Sequence, residues 1–182
     1  MFNTMIKELT EYNGKEKQLL VVYEELLELS QSVCKLLRYG WTRDQDKENF
    51  KEEITDVLIV LEWFFEEMVG RELITEDIKR YVGVLVVHYN NDKSILKDLL
   101  NLLCIIQSNF FNIEIRGFKH DKNKISNTLI EYLDDLLIIL WLIITTINKD
   151  NFFYNDITME EIEKIAEFKM QRTKERIESH NE

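Results

Sequence analysis

Proline is absent from this chain of 182 residues, and glycine occurs only five times. Folds built from many strands need tight turns, and tight turns draw on those two residues. A chain without them is confined to long helices joined by a few loops. The glycines that are present act as punctuation, with Gly40, Gly70 and Gly117 each closing an amphipathic run where a left-handed helix cap is expected. Hydrophobic periodicity predicts six helices, over about 15–38, 47–69, 75–89, 94–115, 125–148 and 158–179. Thr158 and Glu161 form a capping box at the start of the last one. Asn90-Asn91-Asp92 reads as a turn, and 39–46 and 118–124 as loops. The fold class expected is all-α, an antiparallel helix bundle.

The two halves share a pattern. Arg38-Tyr39-Gly40-Trp41 has a counterpart in Arg116-Gly117-Phe118, Glu53 to Leu58 in Glu131 to Leu136, Trp63 in Trp141, and Ile74 to Ile78 in Ile157 to Ile162. The four matches occur in order, with offsets between 77 and 84 residues. A tandem duplication accounts for this, with one repeat over 1–90 and a second over 91–182, packed as one globular pseudo-dimer.

Lys and Arg total 23 against 34 Asp and Glu, a net charge of −11. That balance disfavours nucleic acid as a partner, because the phosphate backbone would be repelled. No basic segment followed by an apolar stretch occurs over Met1 to Lys7, so no secretory signal is expected there. The most apolar run, Leu136 to Ile144, is nine residues long, which suits a buried helix and not a membrane span. Cys34 and Cys104 lie in apolar helical runs and are expected as buried free thiols, in keeping with a cytoplasmic protein.

The first helix carries Glu24-Glu25-Leu26-Leu27-Glu28 and the second Glu52-Glu53-Ile54-Thr55-Asp56. Residues three apart lie on one side of a helix, so each helix offers a carboxylate pair, and a short loop turns the two pairs face to face. Glutamate-rich helices ordinarily present solvated faces. A helical wheel separates the cases. Glu48, Lys51, Glu52, Thr55, Glu62 and Glu66 make the polar arc of the second helix, whereas Glu53 and Asp56 fall among Val57, Val60, Trp63 and Phe64. On the first helix Glu25 flanks Leu29 and Leu36, with Glu28 beside it. Carboxylates turned toward a core cost several kcal/mol unless compensated, and no basic residue shares those faces. Bound cations are the natural compensation. His88, His120 and His180 are scattered and form no Glu-x-x-His pair, which argues against a di-iron bundle or zinc. An all-oxygen donor set suits Mg²⁺ or Mn²⁺.

Glu25-x-x-Glu28, 24 intervening residues, then Glu53-x-x-Asp56 resembles the signature of the MazG-like, all-α NTP pyrophosphatase superfamily. That superfamily includes MazG proteins, dimeric dUTPases and dCTP pyrophosphatases. The flanking text is similar too: Tyr23 to Leu29, Lys35-Leu36-Leu37-Arg38 and Phe50 to Ile59. The strong part covers about 17–65, and Glu167-Phe168-Lys169-Met170-Gln171-Arg172 adds a weaker match near the end. The resemblance looks closest to the short phage and bacterial members. It implies a helical bundle that forms dimers or tetramers and hydrolyses an NTP or dNTP to the monophosphate and pyrophosphate. By residue-for-residue transfer, Glu25, Glu28, Glu53 and Asp56 hold Mg²⁺, and Glu25 or Glu28 orients or deprotonates the attacking water. The implied reaction is attack of a metal-activated water on the α-phosphorus.

Half two departs from this pattern. At an offset of 77, Glu24, Glu25 and Glu28 meet Asn101, Leu102 and Ile105, which cannot form a carboxylate pair, and Glu131 and Asp134 are left without facing partners. The third helix is apolar (Val82, Val84, Leu85, Val86, Val87), whereas its counterpart at the end of the chain carries Lys169, Arg172 and Arg176 on one face. A composite site is expected, with metal carboxylates from half one and basic residues from half two. Lys169 and Arg172 are candidates for phosphate contact, as is Lys35, and Trp41 is a candidate for stacking on a base. Arg38, Arg43, Lys119 and His120 rank lower. The alternatives are a MazG-like bundle that has drifted into nucleotide or partner binding, and a plain helical interaction module without metal.

Overall fold

The computed structural model describes residues 14–71, 92–111, 126–145 and 157–180. They form five α-helices, and no strand occurs among them. The protein is all-α, as the missing proline and sparse glycine require.

Helix α1 spans Lys15–Tyr39 and buries Leu19, Val22, Leu26, Leu29, Val33 and Leu36, one apolar stripe at helical spacing. It stops at Gly40, whose φ of 72° suits only glycine and whose N–H donates to the Leu36 carbonyl at 2.8 Å. Helix α2, Asp44–Phe64, begins three residues before the expected start. Asp44 and Asp46 in its first turn face the positive end of the helix dipole and extend it. Phe50, Ile54, Val57, Leu61 and Phe64 are its fully buried face. It widens into a π-helical turn over Phe65–Val69 and ends at Gly70 in the left-handed region.

Helices α3 (Asp92–Asn109), α4 (Asn127–Thr145) and α5 (Met159–His180) fall within the expected fourth, fifth and sixth helical segments to within two residues at their described bounds. The expected capping box is present at α5. The Thr158 amide donates to Glu161 Oε2 at 2.9 Å and the Glu161 amide to Thr158 Oγ1 at 3.2 Å. The expected helix over 75–89, with its run of valines, lies outside the described residues, as do Gly117, Lys119 and His120.

Helix α1 packs against α2 and α3, α3 against α4, α2 touches α4, and α5 lies on α2. The first pair is antiparallel: Lys15 near the start of α1 pairs with Glu67 beyond the end of α2, and Lys35 near the end of α1 bonds Asn49 near the start of α2. Tyr23 and Phe64 both pack on Phe110, with ring centroids 6.2 and 6.0 Å away, which ties α1 and α2 to the end of α3. Gln107 of α3 donates to the Leu26 carbonyl at 2.8 Å and to Ser30 Oγ at 2.6 Å, adding a polar lock to that seam. One hydrophobic core runs from Leu19 in α1 to Ile162 in α5. The apolar run of α4 is part of it, and no described helix is long and apolar enough to cross a membrane.

One expectation needs correction. Cys34 and Cys104 are free thiols but exposed, because both sit beside the buried stripes of their helices and not on them. The polar arc of α2 is not all solvated. Lys51 and Thr55 are 5% and 0% exposed, and Lys51 pairs with Glu161 of α5. Burial works against the Lys51 charge, but hydrogen bonds to Glu48 and Glu161, at 3.1 and 3.3 Å, outweigh it and hold the pKa above that of an ordinary lysine.

Candidate metal centre

Helix packing, and not local sequence, brings the carboxylates together. Glu25 rises from α1 between the buried Val22 and Leu29, and Glu53 and Asp56 rise from α2 between the buried Phe50 and Val60. All three are half-buried, and one carboxylate oxygen from each lies within 4.8 Å of the others. Glu28, three residues along α1, is exposed at the rim of this group, and its charge acts on both Glu25 and Glu53. Of the four expected ligands, the structure gathers three at one point and sets the fourth beside them.

The electrostatic consequences are pronounced. The Glu25 carboxyl is pushed up to about 8, first by burial and then by the charges of Asp56, Glu28 and Glu53, with Lys169 opposing. Burial, followed by Glu28 and Asp56, also raises Glu53, while Lys169 and a hydrogen bond from Asn49 pull the other way. For Asp56 burial is the main upward cause, opposed by the hydrogen bond and charge of Lys169. Protein atoms alone therefore leave this cluster short of positive charge.

Partial compensation comes from a distant part of the chain. Lys169, on α5, forms a hydrogen-bonded ion pair with Asp56 Oδ2 across 113 residues of sequence. The expectation that the carboxylate faces lack basic residues holds on α1 and α2 themselves; the cation arrives on α5, from the helix singled out for its basic residues. Arg172, three residues on, is exposed.

Glu53 has unequal oxygens. Its Oε1 accepts from Asn49 Nδ2 at 2.6 Å, while Oε2 is buried with no hydrogen-bond partner among the described residues. A buried carboxylate oxygen left unpaired costs on the order of 1–3 kcal/mol, more if charged. A cation between Glu25, Glu53 and Asp56 would satisfy it. The donors are all oxygen, as Mg²⁺ or Mn²⁺ prefers, and they are few enough that water completes the shell, as Mg²⁺ requires. The residues present fit such an ion.

The remaining candidates divide. Lys35 is exposed, and its Nζ donates to Asn49 Oδ1 at 3.1 Å, which connects it to Glu53 through one side chain. Asn49 was not singled out in the sequence; its only signal is an Asn four residues before a Glu, a spacing that lets helix side chains bond. Trp41, half-buried, packs edge-on against Phe50, with centroids 5.8 Å apart. Arg38 and Arg43 lie over the Tyr39 ring. In half two Leu102 is half-buried, Ile105 is exposed and Asp134 is paired with Arg71, so no second carboxylate set assembles among the described residues.

Compared with protein-family models, curated proteins and solved structures, the chain matches none.

Proposed function

We propose that the protein is a Mg²⁺-dependent nucleoside triphosphate pyrophosphohydrolase that converts an NTP or dNTP to the monophosphate and pyrophosphate. One observation carries the reading. Glu25, Glu53 and Asp56 from two helices bring oxygens within 4.8 Å of one another, and Glu53 has one buried, unpaired oxygen. The resemblance of Glu25-x-x-Glu28 and Glu53-x-x-Asp56 to the MazG-like signature supplies the reaction class.

In this reading Glu25, Glu53 and Asp56 hold Mg²⁺ or Mn²⁺, with Glu28 at the exposed rim where substrate and water arrive. When bound, the ion neutralises triphosphate charge and lowers the pKa of a coordinated water. Glu28 or Glu25 orients that water or takes its proton. Lys169, already at the centre, is placed to meet a phosphate oxygen, and Arg172 extends the positive charge along the exposed side of α5.

The tandem relation belongs to the same proposal. Helices α1 and α3 pack together, and α2 touches α4. Those are the pairs a two-fold relation between repeats 1–90 and 91–182 would bring into contact. One metal site per chain follows, because α3 carries Leu102 and Ile105 where α1 carries Glu25 and Glu28. Exposed free thiols suit a reducing cytoplasm.

The test is a screen of NTPs and dNTPs for Mg²⁺-dependent pyrophosphate release. Glu53→Gln and Asp56→Asn should each lower kcat/KM by about 100-fold or more, the loss expected when an ion worth several kcal/mol to the transition state is poorly held. No release from any nucleotide by folded, metal-binding protein would move the assignment to a nucleotide- or partner-binding bundle.

A further inference from the structure

Asn49 and Lys35 form a chain of two hydrogen bonds that ends on the metal centre. Lys35 Nζ, on α1, donates to Asn49 Oδ1 at 3.1 Å, and Asn49 Nδ2, on α2, donates to Glu53 Oε1 at 2.6 Å. The direction of this chain follows from its ends. An ammonium can only donate, so the amide must turn its oxygen to Lys35. A carboxylate can only accept, so the amide nitrogen must face Glu53. Each bond fixes the other, and the amide has one orientation.

The consequence falls on Glu53. With Oε1 engaged by Asn49, the carboxylate plane is set and Oε2 is the atom left buried and unpaired. Oε2 is thus free to act as a ligand beside Glu25 and Asp56. Without the Asn49 bond, both oxygens would compete for the ion and the side chain would be free to rotate. We infer that Asn49, held by Lys35, is the positioning residue that presents Glu53 to the divalent cation; the inference rests on the metal-centre reading above. Lys35 then serves the site from the helix surface through Asn49 and need not touch phosphate.

Carboxylate ligands held by such outer hydrogen bonds bind metal about 10–100-fold better than those without them. The two residues can be separated from general electrostatics, because charge and positioning predict opposite signs for Lys35. Removing a positive charge near a cation site should tighten cation binding. Removing the group that orients Asn49 should weaken it.

The experiment is calorimetric titration of the full chain with Mn²⁺, without nucleotide, alongside the melting temperature of each metal-free variant. Asn49→Leu should raise the Mn²⁺ Kd about tenfold. Lys35→Met should raise it about threefold, as expected for loss of one indirect hydrogen bond. Both metal-free proteins should melt within about 2 °C of wild type, as exposed and half-exposed substitutions usually do. An unchanged Kd in Asn49→Leu, or an unchanged or lower Kd in Lys35→Met, overturns the inference while leaving the metal centre standing. Should Asn49→Leu fail to fold, the Lys35→Met result decides alone. Absence of Mn²⁺ binding in the wild type overturns the metal-centre reading, and this inference with it.

Discussion

Glu25 shows how a single residue can set stability against function. Its carboxyl ordinarily titrates at 4.5 and is raised to about 8 in the folded protein. Between those values the folded chain keeps a proton that the unfolded chain has lost. Protons bound are then greater in the native state, so stability falls as pH rises. The stabilisation is complete below about 4.5 and is lost as pH passes through about 8. Glu53 and Asp56, also raised, add to the same trend. The melting temperature of metal-free protein should therefore fall as pH rises from about 5 to 8, over the window in which the unfolded chain has lost the Glu25 proton and the folded chain keeps it. Glu25→Gln has no proton to lose there. It should flatten that fall and melt higher than wild type near pH 8 by roughly 2–4 °C, the size expected for about 1 kcal/mol in a chain of this length. A variant with an unaltered pH slope would show that Glu25 is not the group responsible. Gain of stability on removal of a functional charge is a common trade-off.

At the scale of elements, α5 decides what could be seen in advance. Glu53 and Asp56 were legible because helical period places them off the polar arc of α2, and that test uses only local sequence. Asn49 was not, since a polar residue at a helix edge looks the same whether it is solvated or bonded. Helical period places Lys51 and Thr55 on the polar arc of α2, and nothing local records that they are buried when α5 docks. Helical period does set Cys34 and Cys104 beside the stripes Leu29-Val33-Leu36 and Leu99-Leu103-Ile106, and apolar neighbours in sequence are not evidence of burial. Lys169 was legible as part of a basic face but not as the partner of Asp56, a contact made across 113 residues. Its placement depends on the docking of α5 onto α2, where Lys51 pairs with Glu161 at 3.3 Å. The ion pair predicts a split effect. Lys169→Met frees Asp56 Oδ2 and removes a competing cation, so Mn²⁺ affinity should rise. The same change removes a phosphate contact, so kcat/KM for the best nucleotide should drop about tenfold or more, as when a charge-assisted hydrogen bond to phosphate is lost. Titration and steady-state kinetics on one preparation test both signs. Loss of metal affinity together with activity would mean that Lys169 supports the carboxylates and does not compete for them.

For the whole molecule, the metal centre is a cross-link. Glu25 belongs to α1 and Glu53 and Asp56 to α2, so an ion bound here adds a cross-link between these two helices, with Lys169 of α5 paired to Asp56 beside it. Without the ion, that junction holds mutually repelling carboxylates and a buried unpaired oxygen. Unfolding separates the helices and dismantles the site. A cation that binds only the folded chain then stabilises it by mass action, by about 2.7 kcal/mol at a concentration 100 times its Kd. For a chain of this length that corresponds to a rise in melting temperature of roughly 5–10 °C. The rise should be larger at about pH 8 than at pH 5, because ionised Glu25 offers the ion a charged ligand and removes the need to displace a proton. Asp56→Asn should abolish most of the rise. An equal rise in that variant would place the stabilising ion elsewhere on an acidic surface that carries a net charge of −11. Screening of that surface charge by the divalent salt is controlled by repeating the melt with NaCl at matched ionic strength, which should reproduce the screening but not the rise that depends on Asp56.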